Sequence, residues 1–135
     1  MKVFVDTNVW LSGRFRPGLC AELLDALLEA DAQLLLCERV LAEFERIART
    51  KLAVPPDLLA RAVWFFQQYA EVLPQAKEPV PSVPDPDDAW IVAAALAARA
   101  DWFVTGDKLL LEWLPPVELS MLSPRSAFDR LRSTA

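Results

Sequence analysis

Histidine is absent from this 135-residue sequence, which excludes Ser-His-Asp and Cys-His nucleophile pairs, histidine general bases and mixed Cys/His zinc sites. Only two cysteines occur, Cys20 and Cys37, far apart and without a Cys-x-x-Cys spacing. They read as buried free thiols rather than as a zinc or redox motif. The longest strongly apolar run, residues 89–98, falls far short of the roughly 20 residues that a membrane-spanning helix needs. The opening residues lack the basic segment, apolar stretch and cleavage site of a signal peptide, so a cytoplasmic location is expected. Positive charge is also scarce, with 14 Lys and Arg against 19 Asp and Glu and a net charge of −5. That balance counts against a nucleic-acid binder, because phosphate contacts need a basic surface. The objection weakens where acids surround a cation, since a bound metal reverses the local field. Any hydrolytic chemistry must run on carboxylates, lysine or a metal.

What is present is a chain of 54% apolar residues, the size of one domain and long enough to bury a substantial core. A single domain over residues 1–135 is expected. Residues 2–6 read as a buried strand, 8–12 as a short helix ended by Gly13, and Arg14, Arg16, Pro17 and Gly18 as a loop. Leucines at helical spacing predict a helix over 19–29, and 33–37 is an apolar run of strand length. Residues 38–52 carry an apolar stripe of Val40, Leu41, Phe44, Ile47 and Ala48. A second helix is predicted over 57–69 with Asp57 as N-cap, then a short strand at 71–73 and a proline-rich surface loop over 74–86. Asp85-Pro86-Asp87-Asp88 has the form of a helix start, and the helix running to Arg99 is apolar nearly all round, hence central. A strand at 102–105, a helix at 108–114, a strand at 117–122 and a helix at 124–131 complete the chain. Strands alternating with helices predict an α/β fold with a mostly parallel sheet covered on both faces. Ligands in such folds bind outside the carboxyl ends of the strands.

Four acids fall at that edge. Asp6 ends the first strand, Asp107 follows the strand at 102–105, Asp88 sits in the first turn of the central helix, and Glu43 borders an apolar stripe. Each has a plainer explanation when taken alone. Asp6 and Asp107 suit turn or helix caps, Asp85, Asp87 and Asp88 suit a helix N-terminus, and Glu43 suits an ordinary amphipathic border. Convergence changes the weighing, because two carboxylates about 4 Å apart repel by roughly 4 kcal/mol at an effective dielectric of 20. Several such pairs require protons or a cation. An all-oxygen ligand set without histidine or thiolate points to Mg²⁺ or Mn²⁺. Asn8, the only asparagine, and Gly106, one of three glycines, each lie within two residues of a candidate ligand. The amide of Asn8 can position a water without adding charge, glycine permits an unusual turn, and the Thr105 hydroxyl can hold a neighbouring carboxylate.

The segments Val3-Phe4-Val5-Asp6-Thr7-Asn8-Val9, Val40-Leu41-Ala42-Glu43, Asp88-Ala89-Trp90-Ile91-Val92-Ala93-Ala94-Ala95 and Phe103-Val104-Thr105-Gly106-Asp107 resemble, in order and spacing, the successive motifs of PIN domains. The Thr-Gly-Asp form with Leu122-Ser123-Pro124 and Phe128 is similar to the VapC-type branch, described as toxin components of toxin–antitoxin systems. The resemblance spans essentially the whole chain. It implies a three-layer α/β/α domain, Mg²⁺- or Mn²⁺-dependent endoribonuclease activity on RNA, homodimers or higher homo-oligomers, and inhibition by a cognate antitoxin. By motif position it makes Asp6, Glu43, Asp88 and Asp107 the metal-binding catalytic acids, with Asn8 and Thr105 in support. Asp85, Asp87 and Asp101 are not carried over, since their positions suit capping and a turn. Arg14, Arg16 and Lys108, the basic residues nearest the motifs, are candidates for RNA phosphate contact, with solvated surface charge the plainer explanation of each.

Two other classes compete. A haloacid-dehalogenase-like phosphatase wants a second acid two residues after the first, where Asn8 stands, and a receiver domain wants an acidic pair where Asp6 is single. A catalytically inactive PIN-fold interaction module would have no need to keep all four acids.

Overall fold

The apolar runs of the sequence become the strands of one sheet in a computed structural model that describes residues 1–113 and 119–133. β1 (Lys2–Val5), β2 (Gln33–Cys37), β3 (Ala70–Leu73), β4 (Trp102–Val104) and β5 (Ser120–Leu122) pair in parallel throughout, in the order β3-β2-β1-β4-β5. Consecutive residues of the inner strands are buried, Val3-Phe4-Val5 on β1 and Leu34-Leu35-Leu36 on β2. Since neighbouring residues point to opposite faces, both faces are covered, and the helices form the two outer layers. Phe4 and Phe103, opposite each other in the β1–β4 register, stack with centroids 4.9 Å apart. The chain lays β2 and β3 on one side of β1, then crosses back to place β4 on the other. The strand order therefore reverses at the carboxyl ends of β1 and β4, where a crevice forms in this class of sheet.

The helices are α1 (Thr7–Phe15), α2 (Leu19–Glu29), α3 (Glu38–Thr50), α4 (Pro56–Tyr69), α5 (Pro86–Ala97), α6 (Lys108–Glu112) and α7 (Pro124–Ser133). An aromatic cluster fixes three of them together. Trp10 of α1 meets Phe66 of α4 edge-on at 4.8 Å, Phe66 meets Phe44 of α3 at 5.0 Å, and Phe15 stacks on Phe44 at 5.4 Å. Phe44 and Phe66 are fully buried, so the turn of α3 that carries Glu43 is anchored one residue away.

Several local expectations change under tertiary packing. Gly13 does not end α1, which runs on to Phe15 and takes Arg14 out of the predicted loop and into a helix. A Cβ at Gly13 would collide with the Leu24 side chain and lie 3.2 Å from the Cys20 carbonyl, so glycine here permits close contact of α1 with α2. Asp57 is not an N-cap, because α4 begins at Pro56, whose missing N–H suits the first helical position, and Pro55 precedes it. The central helix stops at Ala97 rather than Arg99, which turns to φ 59° while its amide bonds to the Leu96 carbonyl. α3 likewise closes at Thr50, two residues early, and α7 runs two residues past the predicted end. β5 is described from Ser120, and residues 114–118, which held the end of one predicted helix and the start of the last strand, lie outside the described residues.

Gly13→Ala tests the α1–α2 contact. Helix propensity alone would raise stability by up to about 1 kcal/mol, whereas overpacking is destabilising by about 1–3 kcal/mol. A net loss is expected, read as a lower melting temperature, and a stabilised variant would show that Leu24 moves aside freely.

Candidate active site

The carboxyl ends of β1 and β4 are stitched together by polar side chains. Asp6, the residue after β1, continues the ladder through its amide to the Val104 carbonyl at 2.9 Å and caps α1, accepting from the Thr7 amide at 2.8 Å through Oδ1. Its Oδ2 accepts from Thr105 Oγ1 at 2.7 Å, and the same hydroxyl accepts from the Asp107 amide at 3.0 Å. Asp6 and Thr105 are both buried. Asn8, in the first turn of α1, accepts from the Gly106 amide through Oδ1 at 3.2 Å. Gly106 does not adopt a positive φ, so the contribution seen is its amide rather than its conformational freedom. Asp107 caps α6 through the Leu109 amide at 2.9 Å.

Asp88 and Glu43 arrive from the helices on either side. Asp85 is the N-cap of α5, accepting from the amides of Asp87 and Asp88 at 2.8 and 3.4 Å, and this leaves the Asp88 carboxylate uninvolved in the cap. Burial, then the charges of Asp6, Asp85, Asp107 and Glu43, push the Asp88 carboxyl up to about 7. Asp6 is raised chiefly by burial; hydrogen bonds from Thr105 and Thr7 oppose the rise, and the charges of Glu43 and Asp107 add to it. The four acids named from sequence thus lie within electrostatic reach of one another at one edge of the sheet.

No basic side chain figures among the charges that act on Asp6 or Asp88. The donor set is all carboxylate, and Cys37, whose thiol burial pushes up, is a neutral neighbour and no ligand. The Thr7 hydroxyl, beside Asp6, is buried without a partner among the described residues. Hard cations bound through oxygen fit this chemistry. Among the described residues, however, no three such side chains already stand close enough to hold one ion. A cleft of about 470 Å³ lies elsewhere, between Leu73, Pro74 and α5, and none of the four acids lines it.

Of the three cations expected at the site, one is drawn away and two border it. Arg14 packs its guanidinium over the Phe65 ring at 4.2 Å, half-buried and turned to α4. Arg16 is exposed and shares a small groove with Asn8, Leu11 and Ile47, while Lys108 is exposed beside Asp107. A different cation, missed in the sequence, stands at this edge. Arg39, in the first turn of α3, bonds Asp87 Oδ1 through Nη1 at 2.9 Å and lies 5.9 Å from the Trp90 ring centre. Its signal was its place two residues past the end of β2, on the same carboxyl edge as Asp6.

A parallel α/β/α sheet with carboxylates gathered at its switch point defines a class of acidic-site α/β domains. The sequence model described as PIN domain matches residues 2–109, and the chain belongs to that family. No curated protein sequence matches it. Among solved structures it is similar to a chain of VapBC2 from Rickettsia felis bound to a promoter DNA fragment, with TM-score 0.68, 16% identity, and 91% of this chain and 98% of that one covered. It is also similar to a chain of FitAcB from Neisseria gonorrhoeae, with TM-score 0.58, 18% identity and coverages of 91% and 98%. A chain of FitAB bound to an IR36 DNA fragment aligns with TM-score 0.60, 20% identity and coverages of 90% and 94%. At these identities the likeness shows the fold.

The raised Asp88 carboxyl makes stability depend on pH in a stated direction. Between its ordinary value of 3.8 and about 7 the folded, metal-free protein holds a proton that the unfolded chain has lost. Stability from this group is full at low pH and is lost as pH rises through about 7, and Asp6 acts in the same sense. Asp88→Asn should therefore melt higher than wild type above neutral pH in EDTA, by on the order of 1 kcal/mol after discounting for solvent screening of a half-exposed group. The difference should vanish near pH 4. A variant less stable than wild type at every pH would remove the repulsion.

Proposed function

We propose that the chain is a single-domain, Mg²⁺- or Mn²⁺-dependent endoribonuclease, and that Asp6, Glu43, Asp88 and Asp107 hold the divalent ion. The observation that carries this reading is that Asp6 and Asp88, on separate segments, are both raised, first by burial and then by charges that for each include Glu43 and Asp107, with no basic side chain among the charges that act on them. When bound, such an ion supplies Lewis-acid stabilisation of a phosphodiester and a water activated for in-line attack. The protein's own contribution is positioning. Thr105 and the Thr7 amide hold both oxygens of Asp6, so this carboxylate cannot swing away from the crevice. Held in that way and buried, it suits a fixed ligand better than the in-line nucleophile of a phosphatase. Asn8, tied to Gly106, places a neutral amide at the same edge, where it can orient a water without adding charge. Asp88, not committed to its helix cap, is free to exchange its proton for a cation.

Membership in the family and the likeness to chains of VapBC2 and FitAB support a further part of the reading, that this is the toxin component of a toxin–antitoxin pair. On this reading an antitoxin protein and RNA are its partners, and the working form is a homodimer or higher homo-oligomer. Among the described residues no helix is long and apolar enough to cross a membrane.

Cleavage of single-stranded RNA should require Mg²⁺ or Mn²⁺ and stop in EDTA. Asp6→Asn and Asp88→Asn should each lower the rate by at least about a hundredfold, the scale of losing a principal electrostatic group, while circular dichroism stays native. RNA left uncut by wild type in both metals would favour an inactive PIN-fold interaction module. Undiminished cutting by the variants would remove these acids from the site.

A further inference from the structure

An RNA strand that approaches four carboxylates needs a cation outside the metal set to hold its phosphates. Among the basic residues, Arg39 has the placement for this. It leaves α3 just past the end of β2, and its charge and that of Asp6 both act on the Cys37 thiol between them. It meets the α5 N-terminus at Asp87, the residue before Asp88. Its bond is to Asp87 and to none of the four acids, so its charge is not committed to any of them.

The way Arg39 is held suits a phosphate better than it suits structure. Its bond to Asp87 uses one nitrogen of the guanidinium, and its other N–H donors have no protein partner among the described residues. The two side chains are 36% and 74% exposed, and ion pairs so open to water add about 0–1 kcal/mol to stability. The Trp90 ring lies beside the guanidinium, its centre 5.9 Å away, at the outer limit of a cation–π contact. A phosphate can take the free edge of the fork bidentately, and Asp87 can release its oxygen without leaving a buried charge unpaired.

We propose that Arg39 is a substrate-positioning residue, gripping a backbone phosphate of the RNA strand beside the bond to be cut, in exchange for its exposed bond to Asp87. This rests on the nuclease reading and adds to it the group that sets strand position.

The test uses the full chain and a short fluorescein-labelled oligouridylate, with binding followed by anisotropy in Ca²⁺ and cleavage by gel in Mn²⁺. Arg39→Gln should weaken binding roughly fivefold to tenfold, as expected for losing a charge-assisted contact, and should raise KM with kcat nearly unchanged. Its salt slope should fall by about 0.7, the value for one phosphate of a single strand. Arg39→Lys should recover the slope but only part of the affinity. Asp87→Asn, which frees the guanidinium, should bind as tightly as wild type or tighter. Arg99→Gln, the same charge change at the opposite edge of the sheet, should shift binding less than twofold. Arg39→Gln indistinguishable from Arg99→Gln, or Arg39→Gln and Asp87→Asn weakened alike with lowered melting temperatures, would overturn the inference and leave Arg39 as a surface tie. Wild type that neither binds nor cuts RNA would fail the nuclease reading itself, and this inference with it.

Discussion

The carboxylates at the β1–β4 edge raise one another's energy, and the fold is arranged so that they cannot escape. Asp6 is buried and pinned through both oxygens, Asp107 is tied by its amide to the hydroxyl that pins Asp6, and Asp88 sits in the first turn of a helix that is otherwise largely buried. Burial first, and then the neighbouring carboxylates, push the Asp88 carboxyl up to about 7, and Asp6 is shifted in the same direction. A site built this way stores unfavourable electrostatic energy that a hard cation relieves on binding. Shared burial and repulsion, rather than any one acid, distinguish this edge from two helix caps, a first-turn acid and an amphipathic border residue that merely lie near one another.

What tolerates the repulsion is apolar packing on both faces of the sheet. The inner strands are buried at successive positions, α5 buries six consecutive or near-consecutive residues between Ala89 and Ala95, and the Trp10, Phe44 and Phe66 contacts tie α1, α3 and α4 together. Thr105 is the hinge of the arrangement. As a donor to Asp6 and an acceptor from the Asp107 amide, one buried hydroxyl sets the spacing of the two strand ends. The strand order supplies the rest, because reversal at β1 opens the crevice where the tied residues lie.

Most of this was legible in the sequence. Continuous apolar runs bounded by turn residues mark buried parallel strands, so β1, β2 and β4 were found with errors of one residue, and Asp85-Pro86 marked the start of α5. The four acids could be assigned to one edge because strand ends and helix starts share it in a parallel sheet. Features set by tertiary contact were not legible. Gly13 carries the local signal of a helix stop, yet the closeness of Leu24 and Cys20 decides its role. Asp57 looks like a cap until Pro56 takes the first helical position. Arg14 reads as a loop cation, but Phe65, fifty-one residues away in the chain, draws it onto α4. Arg39 looked like one charge of an amphipathic helix, and only the meeting of α3 with α5 shows that it borders the site.

The proton on Asp88 gives direct access to the central claim, that these acids form one coupled site which a divalent cation completes. Calorimetric titration of Mn²⁺ into the metal-free protein, in two buffers of different ionisation enthalpy, counts protons displaced as metal binds. Near pH 6, where Asp88 is largely protonated, release should approach one proton per bound site, and it should fall toward zero by about pH 8.5. Release that is absent at every pH, or binding that is undetected at millimolar Mn²⁺, would contradict a coupled site and return Asp6, Asp88 and Asp107 to the ordinary duties of chain turns.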